Sequence, residues 1–166
     1  MTLAALDVHY LERGARAACL FFDDWTSSAP TLERCVEVPE VADYVPGEFY
    51  RRELPCLLAA LGGLPALPEI VLVDGYVWLD EGKPGLGAHL FHALEGRAKV
   101  VGVAKTRYAG GAALGVLRGS SASPLFVGAA GLDPLEAAEN VRRMHGPHRI
   151  PTLLTRVDHL CRGLPF

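Results

Sequence analysis

Five side chains of this 166-residue sequence stand where folding alone gives little reason for their charge. Asp7 interrupts the apolar run LAALDVHYL (3 to 11), and Asp74 closes the unbroken run Ile70-Val71-Leu72-Val73. Glu53 lies four residues after Phe49 and four before Leu57, on the stripe that a helix turns toward a core. Asp158 shares a helical face with Leu154 and Cys161, and Lys105 ends the apolar run KVVGVAK (99 to 105). Inward carboxylates are costly unless they are paired, hydrogen-bonded or bound to a cation. A divalent ion would satisfy all four. Mg²⁺ takes carboxylate oxygens and keeps several waters, and one or two such ions activate a water and neutralise the leaving oxygen of a phosphodiester. Lys105 would then hold the scissile phosphate or the attacking water. Each residue also has a plain structural reading. Asp74-Gly75 is a common turn signal, Asp7 and Asp158 can make local hydrogen bonds, Glu53 can pair with an arginine, and Lys105 can reach solvent. It is the five together that favour a cation site.

The elements that must position them read as strands first, then helices and strands in alternation. LAALDVHYL, ARAACLFFD (15 to 23) and TLERCVEV (31 to 38) are three strand candidates, and their short links favour an antiparallel meander. A loop, PEVADYVPG, leads into a helix over 47 to 61 whose middle is disturbed by Pro55. The run ending at Asp74 reads as a strand buried on both faces. In an open α/β sheet, ligands meet the carboxyl ends of such strands. A helix over 85 to 96, a buried strand over 99 to 105, a late strand pair (AALGVLRG, SPLFVGA) and two closing helices with Pro134 and Pro151 near their starts complete the order. It is the order of an α/β ribonuclease-H-like fold, a mixed central sheet flanked by helices, expected as a single domain over residues 1–166.

Composition narrows the functional classes. Half of the residues are hydrophobic, enough for one full core, and the net charge of −3 lacks the basic excess that often marks a nucleic-acid binder. Binding of that kind would need a local basic patch. Cys19, Cys35, Cys56 and Cys161 show no C-x-x-C spacing and sit in apolar surroundings, so reduced core thiols and a cytoplasmic location are expected. Without a basic, apolar leader or a run of about 18 apolar residues, no membrane association is expected.

LDVHY (6 to 10), DYVPGEFYRRELP (43 to 55), VDGYVWLDEGKPGLGAHL (73 to 90), VVGVAK (100 to 105) and RIPTLLTRVDH (149 to 159) resemble, in order, the motifs of the endonuclease V family. The resemblance implies a ribonuclease-H-like fold and a magnesium-dependent endonuclease, with Mn²⁺ as an alternative ion. Such enzymes cut DNA or RNA on the 3′ side of deaminated bases, above all hypoxanthine. It implies that Asp7, Glu53 and Asp74 are metal-binding carboxylates, that Asp158 is a fourth position near the metal, and that Lys105 is the catalytic lysine. Tyr44, Val45 and Pro46, followed by Gly47, match the wedge that enters the helix beside a flipped base. Gly75, the stretch Gly85-Leu86-Gly87 and His89 would line the base pocket or the helix that supports it, with backbone amides reading the base edge. His89 reads equally well as a packed helix histidine.

The departures concern the substrate surface. Asp43 stands where the family has proline, Tyr76-Val77 replaces a small polar-glycine pair, and Asp80-Glu81-Gly82 replaces His-Pro-Arg, which weakens phosphate binding. Only six residues precede Asp7, fewer than in the family. Three readings follow: an endonuclease for nucleic acid containing deaminated bases, a related phosphodiester hydrolase, and a non-catalytic nucleic-acid-binding homologue. A monomer is expected in each. The pairs His89/His92 and His145/His148 lack the cysteine partners that would make a zinc reading strong.

Overall fold

The computed structural model describes residues 1–166. Nine strands and four helices alternate along the chain. They are β1 (Leu3–Tyr10), β2 (Ala15–Phe22), β3 (Leu32–Val38), α1 (Tyr50–Leu61), β4 (Ile70–Asp74), β5 (Trp78–Asp80), β6 (Lys83–Pro84), α2 (Leu86–Ala93), β7 (Lys99–Ala104), β8 (Leu114–Val116), β9 (Leu125–Ala130), α3 (Pro134–Arg142) and α4 (Thr152–Arg162). Seven strands form one sheet in the order β3-β2-β1-β4-β7-β9-β8. The meander β1-β2-β3 is antiparallel, β1, β4 and β7 run parallel, and β9 returns antiparallel to β7.

Alternation along the strands divides the interior in two. Leu3, Ala5, Ile70, Leu72, Val101 and Val103 face α3 and α4, whereas Ala4, Leu6, Val71, Val73 and Val100 face α1 and α2. The helices meet these faces with stripes at helical spacing. In α1 the buried positions are Glu53, Cys56, Leu57, Ala60 and Leu61, so a carboxylate heads an otherwise apolar stripe. In α4 they are Leu153, Val157 and Cys161. Asp133 caps α3 by accepting the Leu135 N–H at 2.7 Å, with Pro134 at the first helical position, where its missing donor costs nothing.

Some details differ from the sequence reading. Helix α1 continues through Pro55, and Phe49 precedes it as an exposed residue instead of lying in the core. Residues 78–84 form a small ribbon, β5-β6, whose turn is Asp80-Glu81-Gly82: Asp80 Oδ1 accepts the Glu81 N–H, and Gly82 takes φ +74°. Cys35 is exposed, while the other three thiols are buried, and all four are free.

Candidate metal centre and adjoining cavity

The sheet register brings Asp7 and Asp74 together. Leu6 and Val73 are the last pair between the two parallel strands, so Asp7, within β1, and Asp74, at the carboxyl end of β4, stand beside one another on strands about 4.8 Å apart. By parity both point to the α4 face. Asp74 in turn pairs with Val103, and Lys105 follows two residues later on the same side. Its ammonium lies 3.4 Å from Asp74 Oδ2. From α4, Asp158 and the Cys161 thiol come within 4.8 Å of Asp7. Asp158 is also held by Arg162 at 2.7 Å, one turn further along the helix. Glu53 arrives from α1 and is buried, without an ion pair to any arginine. The neighbouring Arg52 instead lies over the Tyr10 ring at 3.9 Å.

Burial and mutual repulsion hold two of these carboxyl groups far above the usual range. Asp7 is raised to about 7, first by burial and then by Asp74, with the Val8 N–H as a partial offset. Glu53 is raised to about 8, by burial and then by Asp7 and Asp74. Two buried acids lacking a cationic partner, beside a third acid at a strand end, are a donor set that fits a hard divalent cation. Asp7, Glu53 and Asp74 would hold it, with Asp158 at its edge. The proton linkage has a definite sign. Folded values near 7 and 8 exceed the roughly 4 of unfolded carboxylates, so the metal-free folded state binds extra protons and loses stability as pH rises through that window. In chelator, the protein should melt lower at about pH 8 than at about pH 5.5, and Mg²⁺ should raise the melting temperature chiefly at the higher pH. A metal-free melting temperature that climbs over this interval would contradict the assignment.

Next to the carboxylates lies a cavity of about 320 Å³, bounded by Gly47, Phe49, Tyr50, Gly75, Tyr76, Leu79, Lys83, Gly85, Leu86 and Tyr108. It and the carboxylates share two chain segments, 49–53 and 74–76. Of the residues singled out by resemblance, Gly47, Gly75, Gly85 and Leu86 border the cavity. His89 does not; it stacks on the Tyr50 ring at 3.6 Å and so supports the wall from behind. Tyr44 and Val45 project from the loop before α1 and are exposed, as is Pro46.

The glycine amides are engaged within the chain, contrary to the expectation that they read a ligand edge. Gly75 N–H donates to Val103 O, Gly85 N–H to Val77 O and Gly87 N–H to Tyr76 O. Close approach is what these glycines supply. A Cβ on Gly85 would meet Tyr76 O at 2.6 Å, and one on Gly102 would meet Gly75 O at 2.4 Å. Val77, fully buried, fills the space that Gly87 and Gly102 leave open. The aromatic walls Phe49, Tyr50, Tyr76 and Tyr108 were missing from the sequence reading. Only the replacement of a small residue by Tyr76 signalled them.

A mixed sheet in the order 3-2-1-4, with one acid within its first strand, one at the end of its fourth and a further acid from a flanking helix, is the arrangement of ribonuclease-H-like α/β proteins. The family model described as Endonuclease V matches residues 1–132. The chain belongs to the Endonuclease V family. The Endonuclease V of Azotobacter vinelandii is 34% identical over 129 residues, which cover 76% of this chain and 57% of that protein. The crystal structure of the Streptomyces avermitilis Endonuclease V superposes with a TM-score of 0.78 at 28% identity, covering 98% of this chain and 80% of the other. The Ciona intestinalis Endonuclease V, solved with a 23mer DNA containing an inosine, shares the fold at TM-score 0.76 and 17% identity, over 98% of this chain and 84% of that one. The chain spans about half the length of the curated relatives it matches.

Proposed function

We propose that the protein is a metal-dependent endonuclease that cuts DNA or RNA on the 3′ side of deaminated bases such as inosine. The observation that carries this reading is the set of acids gathered around Asp7, with Asp74 beside it on β4, Asp158 within 4.8 Å and the buried Glu53 raised by Asp7 and Asp74, next to a cavity walled by aromatic rings. Bound Mg²⁺, or Mn²⁺, would activate a water and neutralise charge on the leaving oxygen. The chain's own residues do the rest. Asp7 and Glu53 present carboxylate oxygens from a dry surrounding, where their attraction for a cation is strong. Lys105, 3.4 Å from Asp74, is placed to meet a phosphate oxygen at the edge of the carboxylates. The exposed apolar tip Tyr44-Val45-Pro46-Gly47 is suited to enter a base stack, and the cavity to receive the base displaced by it. An aromatic wall holds any base by its π-face, worth about 1–3 kcal/mol for each stacking ring. A cytoplasmic location, to which four free thiols are suited, and a monomeric state are part of the same proposal. No helix is long and apolar enough to cross a membrane.

Labelled single- and double-stranded oligonucleotides, with and without one inosine, incubated in Mg²⁺ and in chelator, test the proposal. Cleavage should require both the inosine and the ion, and equal cutting of the unmodified strand would refute the lesion reading.

Affinity for undamaged duplex should be low. The net charge is −3, the β5-β6 turn carries Asp80 and Glu81, and Arg51 is paired to Glu48 at 3.0 Å. Of the cations that line the cavities there, Lys83, Lys105 and Arg107, Lys105 is already paired to Asp74. About three phosphate contacts give a slope of about −3 in log K against log salt. Salt titration of duplex binding checks this, and a slope beyond about −6 would mean a basic surface elsewhere.

A further inference from the structure

Tyr76 stands on the wall of the cavity, and its hydroxyl is used twice. It donates to Thr106 O at 2.9 Å and accepts the Tyr108 N–H at 2.8 Å. Both partners lie in the segment directly after Lys105, and Tyr108 returns its own ring to the cavity, tilted against Tyr76 with centroids 5.9 Å apart. Outside the sheet, this segment has few backbone partners of its own; Gly111 N–H to Tyr108 O closes its turn. The other fastening is Arg149, whose guanidinium donates to Lys105 O and to Pro124 O at 2.9 Å. Lys105 is therefore suspended between two braces, one of which is a cavity wall.

We propose that Tyr76 is a positioning residue: the ring that meets the base and the hydroxyl that fixes the Thr106–Tyr108 segment belong to one side chain, so the base cavity and the catalytic lysine are held in mutual register by it. The inference rests on the nuclease reading above. A ring without the hydroxyl keeps the wall and loses the brace, whereas alanine loses both.

The experiment compares Tyr76→Phe and Tyr76→Ala with the unmodified protein in two ways. In the absence of nucleic acid, amide exchange at Tyr108 should quicken by about tenfold or more in Tyr76→Phe, because its hydrogen-bond acceptor is gone. On an inosine-containing strand in Mg²⁺, Tyr76→Phe should leave KM near the parent value and lower kcat by about tenfold or more, since small misplacements of a catalytic group are costly. Tyr76→Ala should raise KM as well. Unchanged Tyr108 exchange, or faster exchange with kcat intact, overturns the proposal and leaves the nuclease reading standing. A parent protein that cuts no inosine strand removes both.

Discussion

Asp74→Asn is expected to lower cleavage by about a thousandfold or more while the folded protein persists. Losing one carboxylate from the proposed cation site would withdraw several kcal/mol of transition-state stabilisation, and about 4 kcal/mol is a thousandfold in rate. The alternative role, turn formation, predicts a harmless change, since asparagine tolerates the same turn and makes the same local bond. Geometry speaks for the first. The side-chain partner of Asp74 is Lys105, not the backbone of the turn, and the turn is made by Gly75 at φ +148° with its N–H on Val103 O. The partly exposed pair with Lys105 is worth about 0–1 kcal/mol. Its loss is offset by relief of the repulsion that Asp74 exerts on Asp7 and Glu53. Melting temperatures in chelator should therefore nearly coincide, and Mg²⁺ should raise the parent more than the variant. A variant that cuts as fast as the parent would return Asp74 to the status of a turn residue.

The second large effect concerns Arg118, a buried guanidinium whose hydrogen-bond acceptors are all backbone carbonyls. Its nitrogens donate to Arg142 O at 3.2 Å, His148 O at 2.6 Å, Arg149 O at 3.2 Å, Gly146 O at 3.1 Å and Met144 O. These carbonyls come from the end of α3 and the loop after it, where the helix dipole also favours a cation. Burial pulls the guanidinium below its ordinary value, yet it remains charged at any working pH. Arg118→Met fills similar volume and leaves the carbonyls of residues 142–149 without their donor. Each unsatisfied buried group costs about 1–3 kcal/mol, and partial rehydration of the loop reduces the sum. We expect a net loss of about 3–5 kcal/mol, a large share of the roughly 5–15 kcal/mol that a domain possesses. Lysine, with one compact ammonium, should recover only part of it. Urea unfolding of the parent, Arg118→Met and Arg118→Lys measures this, and a loss under about 1 kcal/mol would show that water replaces the guanidinium freely. The same loop leads into Arg149 and α4, so the variant should also loosen the braces on Lys105 and Asp158.

Arg118 illustrates what was hidden in the sequence. Nothing in the run AALGVLRG marks its arginine as buried, because its five partners lie 24 to 31 positions away and are backbone atoms with no side-chain signature. Tyr76 and Tyr108 were hidden for the same reason: 32 residues separate them, and only the packing of the 105–111 segment over the cavity makes them neighbours. The acidic residues were legible for the opposite reason. A carboxylate placed on an apolar stripe, as in Glu53, or inside an apolar strand, as in Asp7, carries a cost visible without coordinates. Strand boundaries in β1 to β4 were legible from apolar runs and alternation. The β5-β6 ribbon was not, since two to three residues are too few to display a period. Pro55 misled in the other direction, because α1 draws its stability from packing Cys56, Leu57, Ala60 and Leu61 and tolerates the loss of one backbone bond.

Anomalous diffraction from crystals grown with Mn²⁺ locates the ion directly. A peak is expected between Asp7, Glu53 and Asp74, with at least two of their carboxylate oxygens at about 2.1 Å, and should disappear in Asp74→Asn or after chelation. A well-occupied Mn²⁺ elsewhere on the protein, with these three carboxylates left uncoordinated, would contradict it.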